Sequence, residues 1–215
     1  MALVGVDLGT PAELISRWAA HAAVMAAMDN ARLSNAAGNR LHFDDAGGNW
    51  VELVLLGEGR AVLFGHDHEY SDTYYREAAA YFQEEETDLL AEAPDWWGSV
   101  LPTGDDQWIG FVYGFDGEAW SRAEYDLSDG FASVGLPAES DDRLVEIVQA
   151  FVAGYAERKD VEYEPTEQVI LALAASGAQL TLDELAGVFG PVTADLTAGQ
   201  AAAALVASAW PTAAG

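Results

Sequence analysis

Trp50 to Glu69, WVELVLLGEGRAVLFGHDHE, is the stretch that decides the fold. Two apolar runs flank Gly57-Glu58-Gly59, and a compact polar cluster, His66-Asp67-His68-Glu69, closes it. Side chains alternate across an extended strand, so Val51, Leu53 and Leu55 fall on one face and Glu52, Val54 and Leu56 on the other. Both faces are mostly apolar, which predicts a central strand covered on both sides. The run is short for a helix, and the bounding glycines supply the positive φ that tight turns require. Ala61 to Phe64 then returns antiparallel, with Gly65 expected to end the strand.

Working outward, Leu41-His42-Phe43-Asp44 reads as a short strand joined to the hairpin by the turn residues Asp45 to Asn49. Residues 40 to 65 thus form a three-stranded antiparallel meander. A second hairpin is expected from Gln107 to Phe115 and Glu118 to Tyr125 around Asp116-Gly117. That two-residue turn sets Tyr113 opposite Trp120 and Phe111 opposite Arg122. Gly110 and Gly114 fall on the other face, where missing side chains permit close approach. Phe131 to Val134 is expected to add an edge strand.

Helices are marked by their caps and apolar stripes. Thr10, Pro11 and Glu13 start a helix running to about Met28, with Leu14, Trp18, Ala22 and Met25 on one face and His21 within it. Asp72 begins a helix expected to reach Glu86, with Tyr75, Ala78, Ala79 and Phe82 buried. Ser140 or Asp141 starts a strongly amphipathic helix to Lys159, read as the main helix on the sheet. Thr166 to Ser176, the capping box Thr181/Glu184, and Thr197 to Trp210 mark three more. The reading is therefore α+β: an antiparallel meander sheet of four to six strands with packed helices, residues 1–159, and a helical appendage, residues 160–215. The appendage carries seven acidic residues and no Lys or Arg. Its alanine-rich helices offer a surface for pairing with a second copy.

Composition narrows function. The 215 residues carry 36 Asp and Glu against nine Lys and Arg, a net charge of -27. Such a surface repels a phosphate backbone and anionic lipid alike, so nucleic acid and membrane are excluded as partners, whereas a basic protein is attracted. The absence of cysteine removes disulfides, thiol nucleophiles and thiolate metal sites. The start lacks a basic leader region and Asp7 interrupts its apolar run, so a cytoplasmic protein is expected. No apolar run approaches the roughly 20 residues that span a bilayer.

Chemistry has few places to live. Residues 4–10, VGVDLGT, resemble the first phosphate loop of the actin/Hsp70-type ATPases, but a helix begins where that family has a hairpin, and its other nucleotide motifs are missing. There is no glycine-rich loop followed by Lys and Ser/Thr, and no nucleophile elbow. No cofactor is implied.

Residues 66–106 hold twelve acidic residues and one basic residue, Arg76. His66, Asp67, His68, Glu69, Trp96, Trp97, Asp105 and Asp106 are the candidate binding residues of this acidic excursion, the adjacent tryptophans as an aromatic platform. Side chains alternate, so His66 and His68 share a face, with Asp67 and Glu69 on the other, and the histidines form a workable metal pair with a third ligand from Asp44, Asp72, Asp105 or Asp106. That gives an alternative, a metal-dependent hydrolase; a further alternative is a self-associating scaffold. The run GRAVLFGHDHEYSDTYYREAAAYF, with TDLLAEAPDWW after it, resembles a stretch of uncharacterised acidic actinobacterial proteins of immunity or antitoxin type. The resemblance covers about a quarter of the chain and implies a bacterial, cytoplasmic protein; the net charge, its concentration in residues 66–106 and the lack of a catalytic set point to a non-catalytic, immunity-type protein that binds a basic partner. The resemblance implies no site residue.

Overall fold

The computed structural model describes residues 2–103 and 107–210. The chain is α+β, with a seven-stranded antiparallel sheet and eight α-helices among the described residues. The strands are β1 (Leu3–Val6), β2 (Ser34–Ala37), β3 (Arg40–Asp44), β4 (Trp50–Leu55), β5 (Ala61–His66), β6 (Phe111–Phe115) and β7 (Trp120–Ala123). Their order in the sheet is β1-β7-β6-β5-β4-β3-β2. The helices are α1 (Pro11–Ala27), α2 (Glu77–Phe82), α3 (Asp95–Gly98), α4 (Phe131–Val134), α5 (Asp141–Glu157), α6 (Glu167–Ser176), α7 (Leu182–Phe189) and α8 (Leu196–Ser208).

Five of the seven strands were expected; the two that were not are β1 and β2, four residues each. The β2 residues Ser-Asn-Ala-Ala are poor strand formers, and β1 contains Gly5. Pairing makes them strands, since Leu3 to Val6 lie opposite Ala123 to Trp120 in antiparallel register.

The central hairpin pairs Val54 with Val62 and Leu53 with Leu63 across β4 and β5, and β6 adds Val112 opposite Phe64. Val54, Val62, Phe64 and Val112 share a face. The excursion folds back over them, burying Tyr75, Leu89, Trp97, Leu101 and Ile109 in one cluster. The strand does not stop at Gly65. A Cβ there would collide with the Trp50 carbonyl and the Phe111 ring, so glycine is what lets β5 continue to His66 between its neighbours.

The second hairpin is shifted by two residues from the sequence expectation. Phe115 pairs with Trp120 and Gly114 with Ser121, so four residues turn instead of two. The Asp116 carboxylate accepts from the amides of Glu118 and Ala119 at 2.9 and 3.0 Å, which stabilises the longer turn. The expected edge strand at Phe131–Val134 is instead the short helix α4, bracketed by Gly130 and Gly135 at φ 80° and 71°. Its Phe131 packs on Phe111 and Tyr113, ring centroids 5.2 Å away in both cases.

The helix expected from Asp72 to Glu86 shrinks to the six residues of α2. Residues 71–74 are held extended by partners far along the chain. Ser71 bridges to Asp129, the Asp72 amide donates to the Ser128 carbonyl, and the Thr73 hydroxyl donates to the Gly110 carbonyl. Arg76 then takes φ 51°, and Gln83 ends the helix in the left-handed region at φ 61°. Ala78 and Ala79 are buried as expected, but Phe82 faces out.

The chain groups into two compact units: residues to Leu8 with His42–Gly135, and Gly9–Leu41 with Leu136–Trp210. In the second, α1 packs along α8, α6 and α5, and α6 packs on α7. The close α1–α8 contact centres on Gly199, where a Cβ would lie 2.6 Å from the Ala23 carbonyl. The Arg17 guanidinium ties α1 to the start of α5, donating to the carbonyls of Ala138 and Glu139 and pairing with Asp141 at 3.2 Å. The capping boxes at Thr10/Glu13 and Thr181/Glu184 are both formed, and Ser140 caps α5. No helix among the described residues is long and apolar enough to cross a membrane.

Candidate functional site

The polar cluster after β5 is a turn, not a continued strand. Asp67 is 1% exposed, and its Oδ1 accepts from the amides of Glu69 and Tyr70 at 2.9 and 2.8 Å. Asp67, one of the candidate binding residues, is thus buried, and its carboxylate holds the turn together. Because the chain turns there, side-chain alternation ends at His66, and His66 and His68 do not act as a pair on one face. His68 is exposed, and its Nδ1 lies 3.0 Å from Asn49 Oδ1, the same oxygen that accepts its backbone amide. His66 is half-buried against Trp108, ring centroids 6.2 Å apart, and burial lowers the pKa of its imidazole. Glu69 is exposed, with Oε1 3.8 Å from His68 Nε2.

Among the described residues no group of three or more His, Asp and Glu side chains is arranged to hold a metal ion. Asp44 and Asp72 therefore do not complete a site with the histidines. Asp44 instead accepts from the Ala46 amide at 2.6 Å. Asp105 and Asp106 lie outside the described residues.

The tryptophan pair divides. Trp97 is 1% exposed, and its indole fills the space above Gly114 of β6, where any Cβ would overlap the ring. This is the close approach that Gly114 permits, and it places Trp97 in the core rather than on a binding surface. Trp96 is half-buried, with the Arg60 guanidinium 5.4 Å from its ring centroid. The pair does not form an open platform.

An open aromatic surface exists elsewhere. Tyr81 and Phe82, at the end of α2, meet Trp108 from the strand-entry segment before β6. The centroid distances are 4.6 Å for Phe82–Trp108, 5.0 Å for Tyr81–Phe82 and 5.1 Å for Tyr81–Trp108. Tyr74 flanks Phe82 at 5.5 Å, and His66 lies against Trp108. Tyr81 is 70% exposed and Phe82 42%. Around them in sequence Glu77, Glu84, Glu85 and Glu86 are all exposed. Scattered surface apolar residues are ordinary, but three contacting aromatic rings of which two face solvent make a patch of the kind found at interfaces. Sequence periodicity assigned Phe82 to the helix's buried face. Local periodicity carries no signal that would have corrected it, because the ring that Phe82 meets, Trp108, lies 26 residues further along the chain.

A second constellation is structural. Asp129 Oδ2 accepts from the phenols of Tyr113 and Tyr125 at 2.7 and 2.8 Å, and Oδ1 accepts from the Phe131 amide at 3.2 Å. Burial and the Asp129 charge push both phenols up from their ordinary pKa, so they remain donors. Arg122 lies 4.1 Å over the Tyr125 ring and donates to the carbonyls of Ala123 and Tyr125. A cavity of about 240 Å³ adjoins this network. That is below the roughly 300–1,000 Å³ of small-molecule sites, and the carboxylate is already satisfied. The arrangement ties residues 125–131 to β6.

No family model, curated protein or solved structure matches the chain.

Proposed function

We propose that the chain is a non-catalytic acidic binding protein that holds a basic protein partner, in the manner of an immunity-type inhibitor. The observation that carries the reading is the exposed Tyr81–Phe82–Trp108 cluster set among exposed carboxylates on a chain of net charge -27. Aromatic side chains supply apolar contact area, while the surrounding charge draws in a cationic surface and discriminates against polyanions. The residues of the polar turn that remain accessible, His68 and Glu69, extend the same acidic excursion. A chain without cysteine suits a reducing compartment, and the cytoplasm is the proposed location.

The test is capture from a native lysate at stepped ionic strength, followed by mass spectrometry. The expected result is a discrete basic protein that is retained at low salt and released as salt screens the attraction. Recovery of no basic protein even at the lowest ionic strength would count decisively against this function.

A further inference from the structure

The geometry points to Tyr81, Phe82 and Trp108 as the seat for an arginine side chain of that basic partner; the inference rests on the acidic-binding reading and deepens it. The protein's own cations show the preference of its surface. At least five of its nine Lys and Arg residues lie over aromatic rings: Arg60 over Trp96, Arg76 and Arg122 over Tyr75 and Tyr125, and Arg158 and Lys159 over Tyr155. Among the described residues no Lys or Arg is seated on Tyr81, Phe82 or Trp108. Among the described residues this group of contacting rings faces solvent and lacks the cation that Trp96, Tyr75, Tyr125 and Tyr155 carry.

The rings are inclined to one another by 43° to 83°, so they present a faceted surface rather than one flat stack. A guanidinium is planar and weakly hydrated, so it lies on one facet while its edge N–H groups reach outward. Carboxylates are at hand to receive them. Glu77 stands four residues before Tyr81 on α2, which places both on one helix face, and Glu84 to Glu86 follow directly after Gln83 turns the chain. A lysine ammonium, compact and strongly hydrated, would gain the charge attraction but not the stacking.

The probes are two labelled decapeptides, five Arg-Gly repeats and five Lys-Gly repeats, titrated into the full-length protein at low salt with anisotropy as readout. Wild type should bind the arginine peptide at least about threefold more tightly than the lysine peptide. Tyr81→Ala/Phe82→Ala, which removes exposed rings only, should lose about tenfold for the arginine peptide and erase the preference. The Glu84→Gln/Glu85→Gln/Glu86→Gln variant should weaken both peptides alike and flatten their salt dependence. Binding that is equal for both peptides and unchanged in Tyr81→Ala/Phe82→Ala overturns the seat but leaves the acidic-binding function standing. Failure of wild type to bind either peptide overturns both. Circular dichroism identical to wild type verifies the fold of each variant, and Trp108→Phe, which preserves a ring, should retain most of the preference.

Discussion

Acidification should destabilise this protein through a single buried histidine. His21 sits within α1 at 1% exposure, against Phe151 of α5, ring centroids 6.5 Å apart. Desolvation pushes its imidazole from 6.5 down to about 3. The folded state therefore keeps His21 neutral while the unfolded chain takes up a proton. Between those values the unfolded state binds more protons, so stability falls as pH drops below about 6.5. For a shift of this size the loss is about 3 kcal/mol at pH 4.5 and levels off near 5 kcal/mol below pH 3. Neutralising other carboxylates relieves the self-repulsion of a -27 chain and works in the opposite direction. The informative quantity is thus the difference between wild type and His21→Gln, measured by urea unfolding from pH 7.5 to 4.5. That difference should be constant above pH 6.5 and shrink by about 1.4 kcal/mol per pH unit below it. A difference that stays flat across the range refutes the reasoning. So does an imidazole proton resonance of His21 that titrates near pH 6 in the folded protein, a readout that does not depend on the variant folding.

Two further outcomes follow from contacts in the sheet unit. Gly114→Ala forces the Trp97 indole out of its place over β6 and should cost at least the roughly 1–3 kcal/mol of an overpacked core, with tryptophan emission shifting red. An unchanged urea midpoint would contradict the packing. Asp129→Asn weakens two charge-assisted hydrogen bonds from Tyr113 and Tyr125 and should destabilise by on the order of 2 kcal/mol without altering the denaturant slope. A stability equal to wild type would show that the phenols find other acceptors.

The sequence made the central hairpin legible because both of its strands carry apolar residues on both faces and are separated by turn glycines. It made the helix starts legible because Thr10, Ser140 and Thr181 are capping residues whose partners lie three positions away. What it hid depends on distant contacts. Ser-Asn-Ala-Ala becomes a strand only because a partner strand is beside it. Residues 71–74 are extended only because Gly110 and residues 128–129 hold their hydrogen bonds. The candidate site followed the same division. The excursion as an acidic surface could be read from composition. Trp97 and Asp67 read as binding residues because local pattern does not report depth, and both proved buried. Trp108 was invisible beside Tyr81 and Phe82, which precede it by more than twenty residues and meet it only in space.

The contact between α1 and α8 bears on how the chain can be cut. Ala203 and Val206 of the last helix are buried where it packs along a wall of alanines near the beginning, and one residue without a side chain lets the two backbones nearly touch. A shortened protein ending at Lys159 would bare that wall along most of seventeen residues, and the clumping that follows would say nothing about natural self-assembly. The opening helix and the closing one are halves of one zipper, sewn by opposite ends of the thread.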